Sequence, residues 1–226
     1  MKFYKAGAIP EVPHMYFIYG DGGTGKTSLL KQFNGKKIIY SFDMSTNPLR
    51  GQEDTDFRIF ESSDAPNIQN LVSGFLGKDI KSNKYQVICL DNISSLQNLV
   101  LENIDNASKD NRQNYQKLQL WFRSMAMFLR QSNVTVYATA HQVDNGAGGL
   151  TGAGRYGADM NEKTFNAFTS VFDFVGRLYV QDNQRWIDCD PESGNHGKNR
   201  IDDRTKFHAE ELIEPKQEEK KEEGAA

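Results

Sequence analysis

One stretch limits the folds open to this chain more than any other: Met15 to Leu30, MYFIYGDGGTGKTSLL. An apolar run from Met15 to Tyr19 leads into Gly20-Asp21-Gly22-Gly23-Thr24-Gly25-Lys26-Thr27, and Ser28-Leu29-Leu30 reads as the start of a helix. Strand, glycine-rich loop and helix in that order form a phosphate-binding loop, whose backbone N–H groups can wrap a polyphosphate. Its glycines allow conformations and a closeness of approach that a Cβ would forbid. The N-terminus of the following helix would complete the anion site. Gly20 through Ser28 are therefore expected to bind a nucleoside triphosphate, with Lys26 reaching the β- and γ-phosphates and the Thr27 hydroxyl on Mg²⁺. A guanine-reading Asn-Lys-x-Asp motif is missing, since NKYQ at Asn83 lacks the aspartate. ATP and Mg²⁺ are the expected cofactors.

The rest of the chain alternates as an α/β protein with a mainly parallel sheet. KKIIYSFD and FRIFE read as strands after the loop helix, and YQVICLD, Tyr85 to Asp91, as a buried central strand. Ile68, Leu71, Val72, Phe75 and Leu76 recur at helical spacing, with Asp64 as cap and Gly77 as stop. Further helices follow at Leu96 to Ile104 and Tyr115 to Leu129, then a strand from Val134 to Ala140. FVGRLYVQ and RWIDCD suggest a C-terminal β-hairpin. With 226 residues, one domain over 1–208 is expected. Ala209 to Ala226 holds seven acidic and three basic residues and is expected to be a disordered acidic tail, leaving the remainder near neutral. Two cysteines, no leader-like N-terminus and no membrane-length apolar run suggest a soluble cytoplasmic protein, away from membranes. Its histidines and cysteines lack metal-binding spacing, so no zinc is expected.

VICLD, ending at Asp91, has the form of a Walker B strand, an apolar run closed by a Mg²⁺-holding carboxylate. A typical AAA+ site places Glu directly after that Asp to activate water; here Asn92 follows. LDNISSL instead resembles RecA-core ATPases, as does TAHQV, whose Gln142 opens into a loop with six glycines between Gly146 and Gly157. GKNR resembles the Lys-x-Arg pair that RecA-core rings insert into a neighbouring subunit's site. From about Val12 to Thr205 the chain thus resembles RecA-core P-loop ATPases, in particular the small phage-encoded Sak-type recombinases of single-strand annealing.

The resemblance implies a RecA-like P-loop NTPase fold, a mainly parallel sheet flanked by helices. It also implies DNA-dependent ATP hydrolysis in phage recombination or replication, by a homo-oligomeric ring or filament on single-stranded DNA. Gln142 becomes a γ-phosphate sensor, and Lys198 and Arg200 trans-acting charge stabilisers. One departure stands out. Members usually carry Glu two positions after the Asp ending the second strand; here Asp43 is followed at that position by Ser45, which cannot act as a comparable base. Asp43 is the expected substitute, with Glu53 and Glu61 as looser candidates, and hydrolysis is expected to be slow. DNA contacts are expected from Lys109, Arg112, Tyr115 and Lys117, and from Arg155, Tyr156 and Lys163. Two alternatives share the loop. One is a nucleotide-gated adaptor that recruits partners such as a single-strand-binding protein; the other is a small-molecule kinase.

Overall fold

The computed structural model describes residues 1–104, 109, 111–146 and 154–214. Among the described residues ten strands form the sheet: β1 (Met15–Gly20), β2 (Lys37–Ser41), β3 (Thr55–Ile59), β4 (Val87–Asp91), β5 (Thr135–Asp144), β6 (Tyr156–Ala158), β7 (Phe174–Gln181), β8 (Gln184–Asp188), β9 (Lys198–Asn199) and β10 (Lys206–His208). Their order is β10-β8-β7-β1-β5-β4-β2-β3, with β6 added to β5 and β9 to β7. The six strands from β7 to β3 run parallel. The expected α/β fold, with a mainly parallel central sheet and a C-terminal hairpin, is the one observed. β1 lies between β5 and β7, so one strand separates the phosphate loop's strand from β4.

Two-residue alternation sends each central strand into two cores. Met15, Phe17 and Tyr19 of β1 face one core, together with Ile38, Ile88 and Val136 of its neighbours. Helices α1 (Ile68–Lys81), α2 (Ile93–Glu102), α3 (Asn111–Arg130) and α4 (Glu162–Thr169) cover that face, through residues such as Val72, Leu96, Phe122 and Phe168. Tyr16 and Ile18 face the other core, closed by Leu29, Leu30 and Phe33 after the loop and by Phe207, Ala209 and Leu212 near the end of the described chain. The first layer is thick and helical, the second thin.

Several boundaries move from the sequence expectation. Thr27–Gln32 is a 3₁₀ helix of six residues, not an α-helix. Gly77 does not stop α1, which continues to Lys81 because Ile80 also packs on the core. Asp64 caps a preceding 3₁₀ turn, Ser62–Asn67, in a reciprocal box with Glu61. β5 extends past Ala140 to Asp144, because its end pairs with β6. α4 has no counterpart in the sequence reading. The boundary expected at residue 208 also shifts. Ala209–Glu211 forms a 3₁₀ turn, Ala209 and Leu212 are buried, and Gln32 Nε2 donates to the Ala209 carbonyl at 2.8 Å. The apolar residues of this segment close the thin face, so the folded part reaches at least that far. The rest of the expected tail, residues 215–226, lies outside the described residues.

Candidate nucleotide site

The loop between β1 and the 3₁₀ helix is held from below and from the side. Tyr137 on β5 donates its hydroxyl to the Lys26 carbonyl at 2.6 Å. Gly20 pairs with Leu178 of β7, and a Cβ at Gly20 would stand 2.2 Å from the Leu178 carbonyl oxygen, so only glycine fits there. Gly25 has φ +101°, a left-handed conformation that favours glycine. The Thr24 hydroxyl closes the turn on the Asp21 carbonyl at 2.8 Å. Because the helix after the loop is one short 3₁₀ segment, its dipole adds less than an α-helix would. Anion attraction therefore rests mainly on the loop's N–H groups and on Lys26.

Lys26 is buried, and its Nζ donates to the carbonyls of Gly20 and Asp21, each at 2.8 Å. Burial lowers its pKa, while the carboxylates of Asp91, Asp21 and Asp43 act in the opposite sense. Asp91, at the end of β4, is also buried; its Oδ2 accepts from the Thr27 hydroxyl at 2.7 Å and its Oδ1 from Thr139 on β5. Burial raises its pKa, opposed first by the Thr139 and then by the Thr27 hydrogen bond.

A buried carboxylate beside a hydroxyl is a hard-oxygen donor set that suits Mg²⁺, which commonly takes one or two protein ligands and completes its shell with phosphate and water. No group of three or more His, Cys, Asp or Glu able to hold a metal unaided occurs among the described residues. The residues present thus fit a nucleotide-borne Mg²⁺ held by Thr27 and Asp91.

Further side chains converge near the loop. Asn92 caps α2, its Oδ1 accepting from the Ser95 N–H at 2.8 Å, and its Nδ2 donates to Asp43 Oδ2 at 2.5 Å. The same Nδ2 lies 3.1 Å from His141 Nε2, which accepts when the ring proton sits on Nδ1. Gln142 Nε2 donates to Asp21 Oδ2 at 2.9 Å, and its Oε1 accepts from Arg177 Nε at 2.9 Å. Gln142 thus spans from the phosphate loop to β7. The Arg177 guanidinium lies 3.4 Å from the centre of the Tyr156 ring on β6.

Of the three carboxylates considered in place of the usual Glu, Asp43 is the one the fold brings to the site. Its Oδ1 accepts from the Ser45 N–H at 3.0 Å. Glu53 precedes β3 at the end of the sheet where Lys37 pairs with Thr55, away from the loop. The Glu61 carboxylate is taken up in its box with Asp64.

Lys198 and Arg200 lie apart from the chain's own loop. Lys198 pairs with Val175, three residues down β7 from Leu178, and its Nζ donates to the Thr169 carbonyl at 2.8 Å. Burial, then Arg200, brings the Lys198 pKa down to about 8. Its ammonium is therefore engaged at the end of α4, whereas the Arg200 side chain is exposed.

The basic residues expected to meet DNA divide into two groups. Arg112 and Tyr115 on α3 and Lys163 on α4 line one cleft of about 600 Å³. Lys109 is exposed just before α3. Arg155 instead forms an ion pair with Asp144 at 3.1 Å and lies 4.8 Å from the Tyr156 ring centre. The Tyr156 ring thus has two arginines against it. Residues 147–153 of the glycine-rich loop lie outside the described residues.

Thr139, His141 and Arg177 escaped the sequence reading of the site. Alternation along β5 was an available signal, since Tyr137, Thr139 and His141 share one face and Tyr137 touches the loop. Arg177 could have been noticed as a cation inside an otherwise apolar strand.

A parallel sheet carrying a glycine loop, an adjacent lysine and a hydroxyl–carboxylate pair defines a P-loop nucleoside triphosphatase. Residues 13–201 match the AAA domain family, and the chain belongs to it, with Asn92 in the place where the sequence reading looked for an AAA+ Glu. No curated protein matches. Among solved structures, a KaiC-like protein from the hyperthermophilic archaeon Pyrococcus horikoshii is similar at 13% identity, over 81% of this chain and 80% of that one, with a TM-score of 0.49.

Proposed function

We propose that this chain hydrolyses ATP with Mg²⁺ and couples hydrolysis to single-stranded DNA as a homo-oligomer. The setting would be phage recombination or replication in the host cytoplasm, like that of the Sak-type recombinases its motifs resemble. The observation that carries the proposal is Gln142. It touches the phosphate loop through Asp21 and the β5–β6 hairpin region through Arg177 and Tyr156. An amide in that position can exchange its Asp21 bond for one to a terminal phosphate, and so report the nucleotide to the glycine-rich segment.

In the hydrolytic step, Lys26 and the loop N–H groups would hold the phosphates, Thr27 and Asp91 would hold Mg²⁺, and Asp43 would accept a proton from the attacking water. Bound Mg²⁺ supplies charge neutralisation at the phosphates. Arg200 from a neighbouring subunit is the trans-acting cation, with Lys198 braced on its own helix. The Arg112, Tyr115 and Lys163 cleft offers charge and a stacking ring to a single strand. Two features favour slow turnover, and with it a nucleotide-gated adaptor that recruits a single-strand-binding protein. Ser45 stands where a Glu is usual, and Asn92 occupies one Asp43 oxygen.

ATP turnover measured with and without single-stranded DNA, alongside particle size, tests the proposal. DNA should stimulate turnover, and Lys26→Ala should abolish both binding and turnover. If DNA changes neither turnover nor assembly while ATP still binds, the coupling to DNA is wrong and the adaptor reading takes its place.

A further inference from the structure

We propose that Arg185, carried on the β7–β8 hairpin, contacts the polyphosphate in cis, and that the cavity beside it receives the nucleoside end of the nucleotide. This rests on the nucleotide reading of the loop. Asp91, with the Thr27 hydroxyl bonded to it and Thr139 beside it, lies toward β5 and β4, on one flank of β1. That flank suits the terminal phosphate and its Mg²⁺. The remainder of a nucleoside triphosphate then extends over the opposite flank, which is formed by β7, β8 and β10.

Arg185 occupies that second flank, against the loop itself. A Cβ at Gly25 would stand 3.2 Å from both Cζ and Nε of Arg185, so the guanidinium lies directly on the loop's backbone. Arg185 is exposed, and among the described residues no hydrogen bond or ion pair engages it. The other cations near the site differ. Lys26 is bound to two loop carbonyls, and Arg177 is committed to Gln142 and the Tyr156 ring. A planar guanidinium with its donors unengaged suits bidentate contact with phosphate oxygens.

The hairpin gives it a fixed base. Asp182 and Asn183 have φ of +53° and +58°, the left-handed pair that a tight two-residue turn requires, and Asp and Asn tolerate it well. Beside Arg185 lies a cavity of about 540 Å³, lined by Gly23, Val180, Gln184, His208 and Glu210. His208, one of its lining residues, packs on Trp186 with ring centres 4.0 Å apart. Two amides (Asn183 and Gln184), an imidazole and a carboxylate around one apolar side chain suit the hydroxyls of a ribose and the edge of a base.

Calorimetric titration of the full chain with Mg-ATP and with inorganic tripolyphosphate tests both halves. Arg185→Ala should weaken both ligands by about tenfold or more, the expected loss of a charge-assisted contact. Val180→Trp should weaken ATP more than tripolyphosphate, because the larger side chain fills the cavity beside its cross-strand neighbour Arg185. Both positions are exposed, so neither change empties the core. Lys31→Ala removes an exposed charge elsewhere on the loop helix and should change neither ligand by more than about twofold. Unchanged tripolyphosphate affinity in Arg185→Ala, or an equal loss in Lys31→Ala, overturns the phosphate contact. Unchanged ATP affinity in Val180→Trp overturns the nucleoside cavity. A wild-type chain that binds neither ligand overturns the nucleotide reading itself.

Discussion

At Asp91 function and stability pull in opposite directions. The carboxylate is buried, and burial raises its pKa despite two donated hydroxyl hydrogen bonds. A carboxyl whose folded pKa lies above its unfolded one binds its proton more tightly in the fold. Its ionisation therefore destabilises the metal-free chain as pH rises above the usual carboxylate range. Asp91→Asn should raise the melting temperature near neutral pH, by about 2–4 °C for each kcal/mol relieved. That gain should shrink as the pH falls and the wild-type carboxyl protonates, while Mg²⁺-dependent nucleotide binding is lost. Melting curves across pH, with and without Mg-ATP, check all three outcomes. Asp43 sits in a different setting, half-exposed and held by Asn92 and the Ser45 N–H. As the proton acceptor it should be replaceable without loss of ATP affinity. Asp43→Asn is then expected to slow single-turnover hydrolysis by about 10²–10⁴-fold; a smaller effect would transfer the role to another group.

Two short elements depend on side chains that the sequence reading assigned elsewhere or passed over. Lys198 holds the last carbonyls of α4, and at pH values near its lowered pKa it is only partly charged, a poor property for a catalytic cation. Lys198→Ala should lower the melting temperature more than it lowers turnover per folded chain. Arg200→Ala should do the reverse, and only in the assembled state, as a comparison of activity above and below the assembly concentration can show. At the N-terminal end of β1, Arg130 grips Asp173 through both Nη atoms, at 2.8 and 2.9 Å, and Asp173 also accepts from the Met15 N–H at 2.9 Å. This ties α3 to the strand that carries the phosphate loop. Arg130→Ala would leave the buried Asp173 charge without its main partner, at a cost of roughly 3 kcal/mol in denaturant unfolding.

At the scale of the whole molecule, the sheet decides which distant residues meet. Strand β5, inserted between β1 and β4, brings Thr139 to one oxygen of Asp91 and Gln142 to Asp21, while β7 brings Arg177 and the hairpin brings Arg185. The sequence by itself determined the apolar strands, the glycine loop with Lys26 and Thr27, and Asp91 at a strand end. Each is a local pattern, in which burial on both faces or close backbone approach restricts the residue types over a few consecutive positions. Tertiary structure alone decided that Asp43 reaches the site and Glu53 does not, and that Lys198 is braced on α4. It also decided that Arg155 is paired with Asp144 while Arg112 and Lys163 share a cleft. A lone charged residue carries no local signature of its partner, because that partner is set by sheet order and register. α4 and the buried end at Ala209 and Leu212 were missed for a related reason. Their apolar residues are too few to show a period, and they become legible only against the surface they cover.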